Sequence, residues 1–371
     1  VILPVNLKRI GTYAFEGVEL MSTLLLPEGL THIYDGAFIG TIGSIEMPYS
    51  IEYLGNHVFG SQTTGVLRLT DNMKHIGNSA FMDSKMTGTF YLPSKLEYLG
   101  EEAFGSFGDN LLGDIVIPST ITEIPDNAFR GMGFANGTNL IMHDGITKIG
   151  INAFGGVRIK NSIEWPKSLL VIEKEAFSHC SMIIKEFVYP ENLRKLATEA
   201  FVNNHIGGTL VIPDRFSFVD GAFMSNDIHE LVIGNSTVYL SRDAFSSCSL
   251  LERVTIGRNM DYIADRAFYG CRALQTFTCL TEEPPVVEMD TFYGIEYDKC
   301  ILQVPEKSVE KYRNAAGWNQ FKNITAYKEL AFNIPTIVTM DKEKIREGII
   351  RAEGPWEIVE CPSWVTVNPS S

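Results

Sequence analysis

Histidines, cysteines and carboxylates are the side chains of this sequence that can perform chemistry. None of the seven histidines forms the HExxH, HxxxH or cysteine–histidine spacing that brings ligands to one metal ion. The sequence has no GxxxxGK(S/T) phosphate loop, GxSxG nucleophile elbow or GxGxxG dinucleotide motif. A carboxylate pair for glycoside hydrolysis can be assembled from distant parts of a chain, but nothing here selects one. We therefore predict that the protein is not an enzyme and has no catalytic residue, metal site or cofactor.

Three of the six cysteines share one position in the sequence, because Cys180, Cys248 and Cys271 each follow a phenylalanine by three residues. Stacked strands about 4.8 Å apart would place Cys180 roughly 14 Å from Cys248, beyond disulfide reach. Cys248 and Cys271 would be neighbours, but equivalent side chains in a stack point in parallel. We expect these cysteines to be free thiols that pack as small apolar groups. The cysteines therefore do not indicate whether the protein resides in an oxidising or a reducing compartment.

Charge and hydropathy exclude two classes of partner. The formal net charge of −14, from 45 acidic and 31 basic residues, argues against nucleic acid, which requires a basic patch. We interpret the charge as a source of solubility and of repulsion that favours a monomer. No stretch approaches the roughly 18 apolar residues of a membrane span. Val1-Ile2-Leu3-Pro4 resembles the strand end of a repeat, with no signal peptide, so we expect upstream residues in the natural protein.

A small residue followed by phenylalanine recurs thirteen times, at intervals of 21 to 25 residues. A period in this range predicts a solenoid, in which each unit buries its apolar face by stacking on its neighbours. The pairs are Ala14-Phe15, Ala37-Phe38, Val58-Phe59, Ala80-Phe81, Ala103-Phe104, Ala128-Phe129, Ala153-Phe154, Ala176-Phe177, Ala200-Phe201, Ala222-Phe223, Ala244-Phe245, Ala267-Phe268 and Thr291-Phe292.

Each repeat combines a short strand, a turn and a second apolar pair. Ile228 to Ile233 alternates apolar and free positions, which predicts a strand with Leu231 and Ile233 inside. A proline follows several such strands and should end them, because it cannot donate to a ladder. A glycine follows the second apolar pair, as in Ile76-Gly77, and we interpret it as a turn residue of positive φ. Small alanine should let coils approach while phenylalanine fills the interior.

The pattern Leu-x-x-Ile-x-Ile-Pro…Ile-Gly-x-x-Ala-Phe-x-x-Cys resembles the bacterial BspA-like leucine-rich repeats over about residues 1 to 328. The resemblance implies a parallel β-ladder of about 13 repeats with short turns or 3-10 segments, on secreted or surface proteins of gut and oral bacteria. We assign 1–295 to the solenoid and 296–328 to a last strand and helical cap. The cap residues, at helical-turn spacings, are Val309, Tyr312, Trp318, Phe321 and Ile324. Such a cap would cover the open end and prevent end-to-end association.

Among the repeats that lack the glycine of the pattern, we single out three departures, at Ile33-Tyr34, Ile124-Pro125 and Val219-Asp220. These departures put the local loop shape in doubt, but not the fold. Residues 329–371 do not continue the periodic repeat and alternate like strands. Their two spaced tryptophans resemble the start of a BACON-type or related bacterial immunoglobulin-like module, cut short before a full sandwich.

The outward residue in the middle of each strand forms a column that we predict to be the binding face. Aliphatic side chains dominate it from 116 to 232, and contiguous apolar strips often mark interaction sites. The alternative is that β-branched residues stand there because they favour strands. The predicted site residues are Tyr91, Val116, Ile141, Glu164, Val188, Val211 and Val232, with a polar flank of Glu186, Glu230 and Arg253.

Three functions remain open. The first is a cell-surface or secreted interaction protein that binds an extracellular protein along the strand face. The second is binding of a carbohydrate or mucin glycan, suggested by the likeness of the tail to a module associated with carbohydrate use. Sugar sites usually present aromatic platforms, and the column offers only Tyr91, which favours a protein ligand. The third is a passive spacer that presents a C-terminal domain.

Overall fold

The computed structural model describes residues 2–161 and 163–327, so the predicted all-β tail at 329–371 lies outside the described residues. The chain winds into a solenoid of about 14 turns, and the strand pairings of the described residues are all parallel. The prediction of a repeat solenoid with a parallel ladder is therefore confirmed. The coils build two strand ladders, one of two-residue strands throughout and one whose strands have two to six residues.

The first ladder, which we name the short ladder, is formed by the apolar pair that precedes each Ala-Phe step. It is divided into sheets of five, four and four strands. These are β1 Arg9–Ile10, β3 His32–Ile33, β5 Tyr53–Leu54, β7 His75–Ile76 and β10 Tyr98–Leu99; β13 Glu123–Ile124, β16 Lys148–Ile149, β17 Val171–Ile172 and β19 Lys195–Leu196; and β22 Phe218–Val219, β24 Tyr239–Leu240, β26 Tyr262–Ile263 and β28 Val286–Val287.

The second ladder, which we name the strand face, is formed by the strands that we predicted before the prolines. It is divided into one sheet of four strands, one of three, two of two and one of six. These are β2 Leu24–Leu25, β4 Gly43–Glu46, β6 Thr63–Val66 and β8 Lys85–Thr87; β9 Thr89–Phe90, β11 Asp109–Gly113 and β14 Gly133–Phe134; β12 Ile115–Val116 and β15 Leu140–Ile141; β18 Ile183–Ile184 and β20 His205–Ile206; and β21 Gly208–Ile212, β23 Ile228–Ile233, β25 Arg253–Ile256, β27 Thr276–Cys279, β29 Ile301–Pro305 and β30 Asn323–Tyr327.

The Ala-Phe steps form the core, as the repeat predicts. From Ala37-Phe38 to Ala267-Phe268 both residues of each step are at most 2% exposed. The phenylalanine rings stack coil on coil, from Phe15 to Phe223 and again from Phe245 to Phe292, with centroids 5.1 to 6.0 Å apart. We name this column the phenylalanine spine. Such near-parallel contacts add to the free energy gained by burying the rings.

In six of the described coils the residue three positions after the spine phenylalanine ties its coil to the preceding one. Its side chain donates to the carbonyl of the preceding spine phenylalanine, which satisfies an otherwise buried acceptor. The same bond is made by a hydroxyl, a thiol or an amide. Examples are Thr41 to Phe15 at 2.7 Å, Cys180 to Phe154 at 3.1 Å, Asn226 to Phe201 at 2.9 Å and Cys271 to Phe245 at 3.3 Å.

The interpretation of the glycine after the apolar pair was wrong. Gly55, Gly77 and Gly100 do not have positive φ; the left-handed residue stands instead just before the small residue of the Ala-Phe step, as at Ser79 with φ 52°. A Cβ on Gly77 would lie 2.5 Å from the backbone C and O of Gly55. At Gly55, Gly77 and Gly100 glycine is therefore required because the backbone of the preceding coil lies too close for a side chain.

Replacing Gly77 by alanine should lower the free energy of unfolding by about 1–3 kcal/mol, because the added methyl group forces two coils apart. Gly11 occupies the same repeat position in the first coil, and its Cβ would meet nothing within 4 Å. Gly11→Ala should therefore stay within about 0.5 kcal/mol of wild type. Chemical denaturation of both variants measures the difference, and equal effects would contradict the close-approach explanation.

Two of the three departures from glycine coincide with breaks in the short ladder. In regular coils the N–H at this position donates to the preceding coil, as Gly77 does to Leu54 at 2.9 Å. Pro125 has no N–H to donate, and β10 and β13 belong to different sheets. At Asp220 the turn that leads to Ala222 is one residue shorter than the turn from Gly77 to Ala80, and β19 and β22 are likewise separate. We name these breaks the first and second seam.

The third departure leaves the ladder intact, because Tyr34 keeps its N–H and donates it to Ile10 at 3.0 Å. Proline behaves as predicted after most strands, and β21 ends at Ile212 directly before Pro213. Pro166 and Pro190 follow segments that form no strand in the described part of the chain.

The C-terminal end contains the predicted helical elements and one further strand. Helix α1, Val309–Asn314, lies between 3-10 turns at Glu306–Ser308 and Trp318–Gln320. Trp318 is fully buried and its Nε1 donates to the Pro285 carbonyl at 2.8 Å. Ile324, which we assigned to the helical cap, lies instead in β30, which pairs with β29. Trp318 packs on Phe292, the last ring of the spine, with centroids 5.2 Å apart, so the helical turns cover the core while β30 continues the ladder as the last described strand.

Candidate interaction surface

The strand face alternates buried and exposed side chains where β21, β23 and β25 pair. Leu210, Leu231 and Val254 point inward and are at most 1% exposed. Val211 and Val232 face outward in direct register, and Val211 is 40% exposed. The predicted in–out pattern of this part of the column is therefore present.

The predicted polar flank lies beside these valines. Glu230 pairs in register with Arg253, and the carboxylate and guanidinium are 3.2 Å apart. The Thr209 hydroxyl also donates to Glu230, at 3.3 Å. Both charged side chains are partly exposed, so this ion pair contributes little to stability. It gives the edge of the apolar column a fixed polar border.

The remaining predicted residues are spread over several segments of the face. Val116 and Ile141 are paired in β12 and β15 and are 44% and 47% exposed. Tyr91, Glu164, Glu186 and Val188 are also exposed, but they lie outside the hydrogen-bonded strands. The predicted column is therefore exposed, but no single ladder joins it.

The register also differs from the prediction near the N-terminus. The repeat aligns Glu46 with Arg68, whereas the ladder pairs Glu46 with Val66. Gly65 makes this possible because its φ of 129° and lack of a side chain allow close approach to Ile45. Arg68 still reaches Glu46 through its side chain, with which it forms an ion pair.

A tyrosine–arginine group at this end of the face was missed by sequence reasoning. The Arg68 guanidinium lies 5.3 Å from the centre of the Tyr49 ring while it binds Glu46. Tyr49 is 58% exposed and Tyr91 is 43% exposed. Partial burial raises the pKa of Tyr91, with smaller contributions from Asp71 and Tyr49. Tyr49 follows a proline and so falls outside the strand column, which is why the pattern did not select it.

The short ladder carries a second group that the sequence analysis did not assemble. His32, Tyr53, His75 and Tyr98 stand in register on its outer side, and the last three rings stack with centroids 4.4 Å apart. Burial lowers the pKa of His75. The rings cover each other's faces, so their main role is cross-strand stabilisation. The recurrence of histidine at this position is visible in the sequence. The tyrosines at the same position in the neighbouring coils were not considered with it, so the group of stacked rings was missed.

The thiols are poorly suited to nucleophilic chemistry. The five cysteines of the described segments are free and buried, as expected for Cys180, Cys248 and Cys271 from their repeat position. Burial raises the pKa of Cys180 and of Cys248 to about 12. Within residues 2–161 and 163–327 no group of three or more His, Cys, Asp or Glu side chains could hold a metal ion. In the same residues no helix has the length and apolar character needed to cross a membrane.

A parallel-strand solenoid with an aliphatic and aromatic interior and exposed strand columns defines a repeat protein of the leucine-rich class. The chain belongs to the family described as BspA type leucine rich repeat region, whose model matches in six copies over residues 1–107, 105–221 and 217–332. This confirms the resemblance to BspA-like repeats. The match ends before residue 333, and the likeness of the tail to a BACON-type module remains a prediction. A comparison with curated proteins finds no match.

Three solved structures of bacterial proteins are similar to this chain. A leucine-rich repeat protein from Bacteroides ovatus is 19% identical, with 86% of this chain and 88% of that chain covered and a TM-score of 0.49. A leucine rich cell surface protein from Faecalibacterium prausnitzii is 16% identical, with coverages of 86% and 83% and a TM-score of 0.45. A leucine-rich repeat protein from Eubacterium ventriosum is 16% identical, with coverages of 78% and 80% and a TM-score of 0.37. At these identities no ligand is carried over.

Proposed function

We propose that the chain is a non-enzymatic interaction protein that binds an extracellular protein along its strand face. The observation that carries this proposal is that apolar side chains are exposed on the outer side of the face, although the side chains on its inner side already fill the core. Val116, Ile141, Val188 and Val211 are 40% to 67% exposed, while their inward neighbours fill the core. Solvated strands normally carry polar residues on their outer side, so repeated exposed aliphatic residues favour a partner surface.

The polar features of the face support a protein partner as well. Tyrosine and arginine are the residue types enriched at energetic centres of protein interfaces, and Tyr49, Arg68 and Tyr91 lie at one end of the face. The Arg68 side chain is held between Glu46 and Tyr49, which reduces the entropy that binding would cost. We propose an extracellular or cell-surface location, because repeats of this type are found in secreted and surface proteins of gut and oral bacteria.

A glycan is the second candidate, favoured by one observation. Tyr49 and Tyr91 expose aromatic surface close to planar polar groups, namely the Arg68–Glu46 pair and the carboxylate of Asp71. Ser94 fixes that carboxylate by donating its N–H at 3.0 Å and its hydroxyl at 2.9 Å. Fixed carboxylates beside aromatic rings are suited to sugar hydroxyls and sugar faces. The site is limited to two rings, so we rank it below a protein ligand.

The test is a binding screen of the chain against extracellular-matrix proteins and a glycan array. Val188→Glu combined with Val211→Glu should weaken binding to a protein ligand at least tenfold, since charges would enter a desolvated contact. The matched control is Val238→Glu combined with Val286→Glu, which adds the same charges at exposed valines beside or within the short ladder. It should bind like wild type.

The other outcomes separate the remaining functions. Binding of a glycan that survives the strand-face variant but is lost in Tyr49→Ala/Tyr91→Ala would replace the protein ligand by the second candidate. Equal loss in the control variant would place the contact elsewhere. The absence of saturable binding to either panel would favour a spacer.

A further inference from the structure

A narrow notch opens at the second seam. It is lined by Tyr189, Leu196, Phe216, Phe218 and Asp220 among others, and has an empty volume of about 240 Å³, part of it open to solvent. The notch exists because the shortened turn at Asp220 does not make the ladder bond to Leu196 that regular coils make. One coil further, the N–H of Ser241 donates normally to Val219 at 2.9 Å.

Asp220 brings a carboxylate to this notch without a partner of its own. In the described part of the chain its carboxylate has no hydrogen bond or ion pair, although the residue is partly buried. The nearest cation, Lys195, is bound to Glu173 at 2.7 Å. Burial raises the pKa of Asp220, partly offset by Lys195. A partly desolvated carboxylate without a partner is costly, and a cation placed beside it would remove that cost.

Arg215 is close to the notch but is not the cationic partner of the Asp220 carboxylate. Arg215 lies over the Phe216 ring at 5.3 Å, but its N–H groups donate to backbone carbonyls, at 2.8 Å to Pro190 and at 3.3 Å to Leu193. The Tyr189 and Phe216 rings are 5.3 Å apart and form an aromatic wall. Aromatic walls beside a carboxylate are suited to an organic cation.

The size of the notch decides which cation fits. The notch is small, because its empty volume of about 240 Å³ is shared with open solvent and only a small head group can be enclosed. An ammonium head on an alkyl chain meets this limit, whereas a planar guanidinium is larger. We propose that the second seam binds a primary ammonium group, supplied by a lysine side chain or by a free alkylamine. This site goes beyond the proposed function and does not use the strand face.

The experiment titrates the chain with Nα-acetyl-lysine methylamide and follows the backbone amide resonances of Gly221 and Ala222. Saturable shifts are expected for the lysine derivative, smaller ones for the arginine analogue and none for the uncharged norleucine analogue. Asp220→Asn should weaken binding at least tenfold. The control Asp261→Asn removes an exposed carboxylate two coils away and should bind like wild type. A parallel titration with 1,4-diaminobutane distinguishes a free amine from a lysine as the better ligand.

Two results would overturn the proposal. Equal shifts with the lysine and norleucine analogues, or unchanged binding in Asp220→Asn, would show that the carboxylate recognises no ammonium group. Binding that appears only after Lys195→Met would instead mean that Lys195 itself occupies the notch in solution, so that the site is not free for another ammonium group. The folded state of each variant is checked by its circular dichroism, and Asp220→Asn should retain it because the carboxylate has no partner to lose.

Discussion

Replacing Phe177 by alanine should lower the free energy of unfolding by about 3–5 kcal/mol, because it removes a ring from the middle of the phenylalanine spine. Phe177 is fully buried and stacks on Phe154 at 5.3 Å and on Phe201 at 5.4 Å. Trp165 also contacts it edge-on at 5.6 Å. The loss therefore includes the transfer of the ring from water, a cavity and three aromatic contacts. Guanidinium denaturation followed by circular dichroism measures the change.

The end of the spine provides the control. Phe15 is only partly buried and stacks on one ring, Phe38, at 5.1 Å. Phe15→Ala should cost about 1–2 kcal/mol, since much of the ring already contacts solvent. If both variants lose the same stability, the spine is not the main source of cohesion between the central coils.

Replacing Asn226 by alanine should cost about 2–4 kcal/mol, because the buried N–H of Ile206 loses its partner, at about 1–3 kcal/mol, and the Phe201 and Phe223 carbonyls each lose one of two donors. Its Nδ2 donates to the carbonyls of Phe201 at 2.9 Å and Phe223 at 3.0 Å. Its Oδ1 accepts the N–H of Ile206 at 3.1 Å. Asn226 is 2% exposed, so water cannot replace these bonds without opening the coil. The same denaturation experiment measures the loss.

A cysteine at this position is the informative comparison. Cys248 and Cys271 occupy the same place in later coils and donate their S–H to the preceding spine carbonyl, at 3.4 Å and 3.3 Å. Asn226→Cys should therefore recover part of the stability lost in Asn226→Ala, though not the bond to the N–H of Ile206. No difference between the two variants would mean that the hydrogen bonds matter less than the volume of the side chain.

The architecture was predictable because one residue pair repeats with a nearly constant period. Ala-Phe steps such as Ala176-Phe177 predict a buried column of rings, and the alternation of apolar and polar residues around Leu231 predicts a strand. The glycine of Ile76-Gly77 was correctly located, but its role was not, because close contact between coils involves residues about 22 positions apart. A single repeat includes only one of the two residues in that contact, so the contact cannot be inferred from one repeat alone.

The site was predictable only in part. Val211, Val232, Glu230 and Arg253 come together because three consecutive strands of this sheet keep the register that the repeat implies. Further upstream, Gly65 shifts the pairing, and this follows from backbone conformation rather than from residue class. The grouping of Tyr49 with Arg68 links a turn to a strand column, and each was considered separately in the sequence.

The two seams were flagged as departures, but their effect depends on hydrogen bonds that only the three-dimensional arrangement reveals. Pro125 removes a donor, and Asp220 stands in a turn that has lost one residue. Tyr34 departs from glycine as well, yet it keeps its donor and the ladder continues. The chemical identity of the replaced residue therefore predicts less than the backbone group it provides.

The bond between a coil and its predecessor has a consequence for how such chains change in length during evolution. A hydroxyl, a thiol and an amide all reach the same carbonyl from the third position after the spine phenylalanine. A recombination that inserts or deletes one whole coil therefore joins two coils whose contact surfaces already match. Loss of a single residue has the opposite effect, as the turn at Asp220 illustrates, because it interrupts the ladder and leaves a notch. Genes for this family can thus lengthen or shorten by complete coils while the interfaces that remain stay the same.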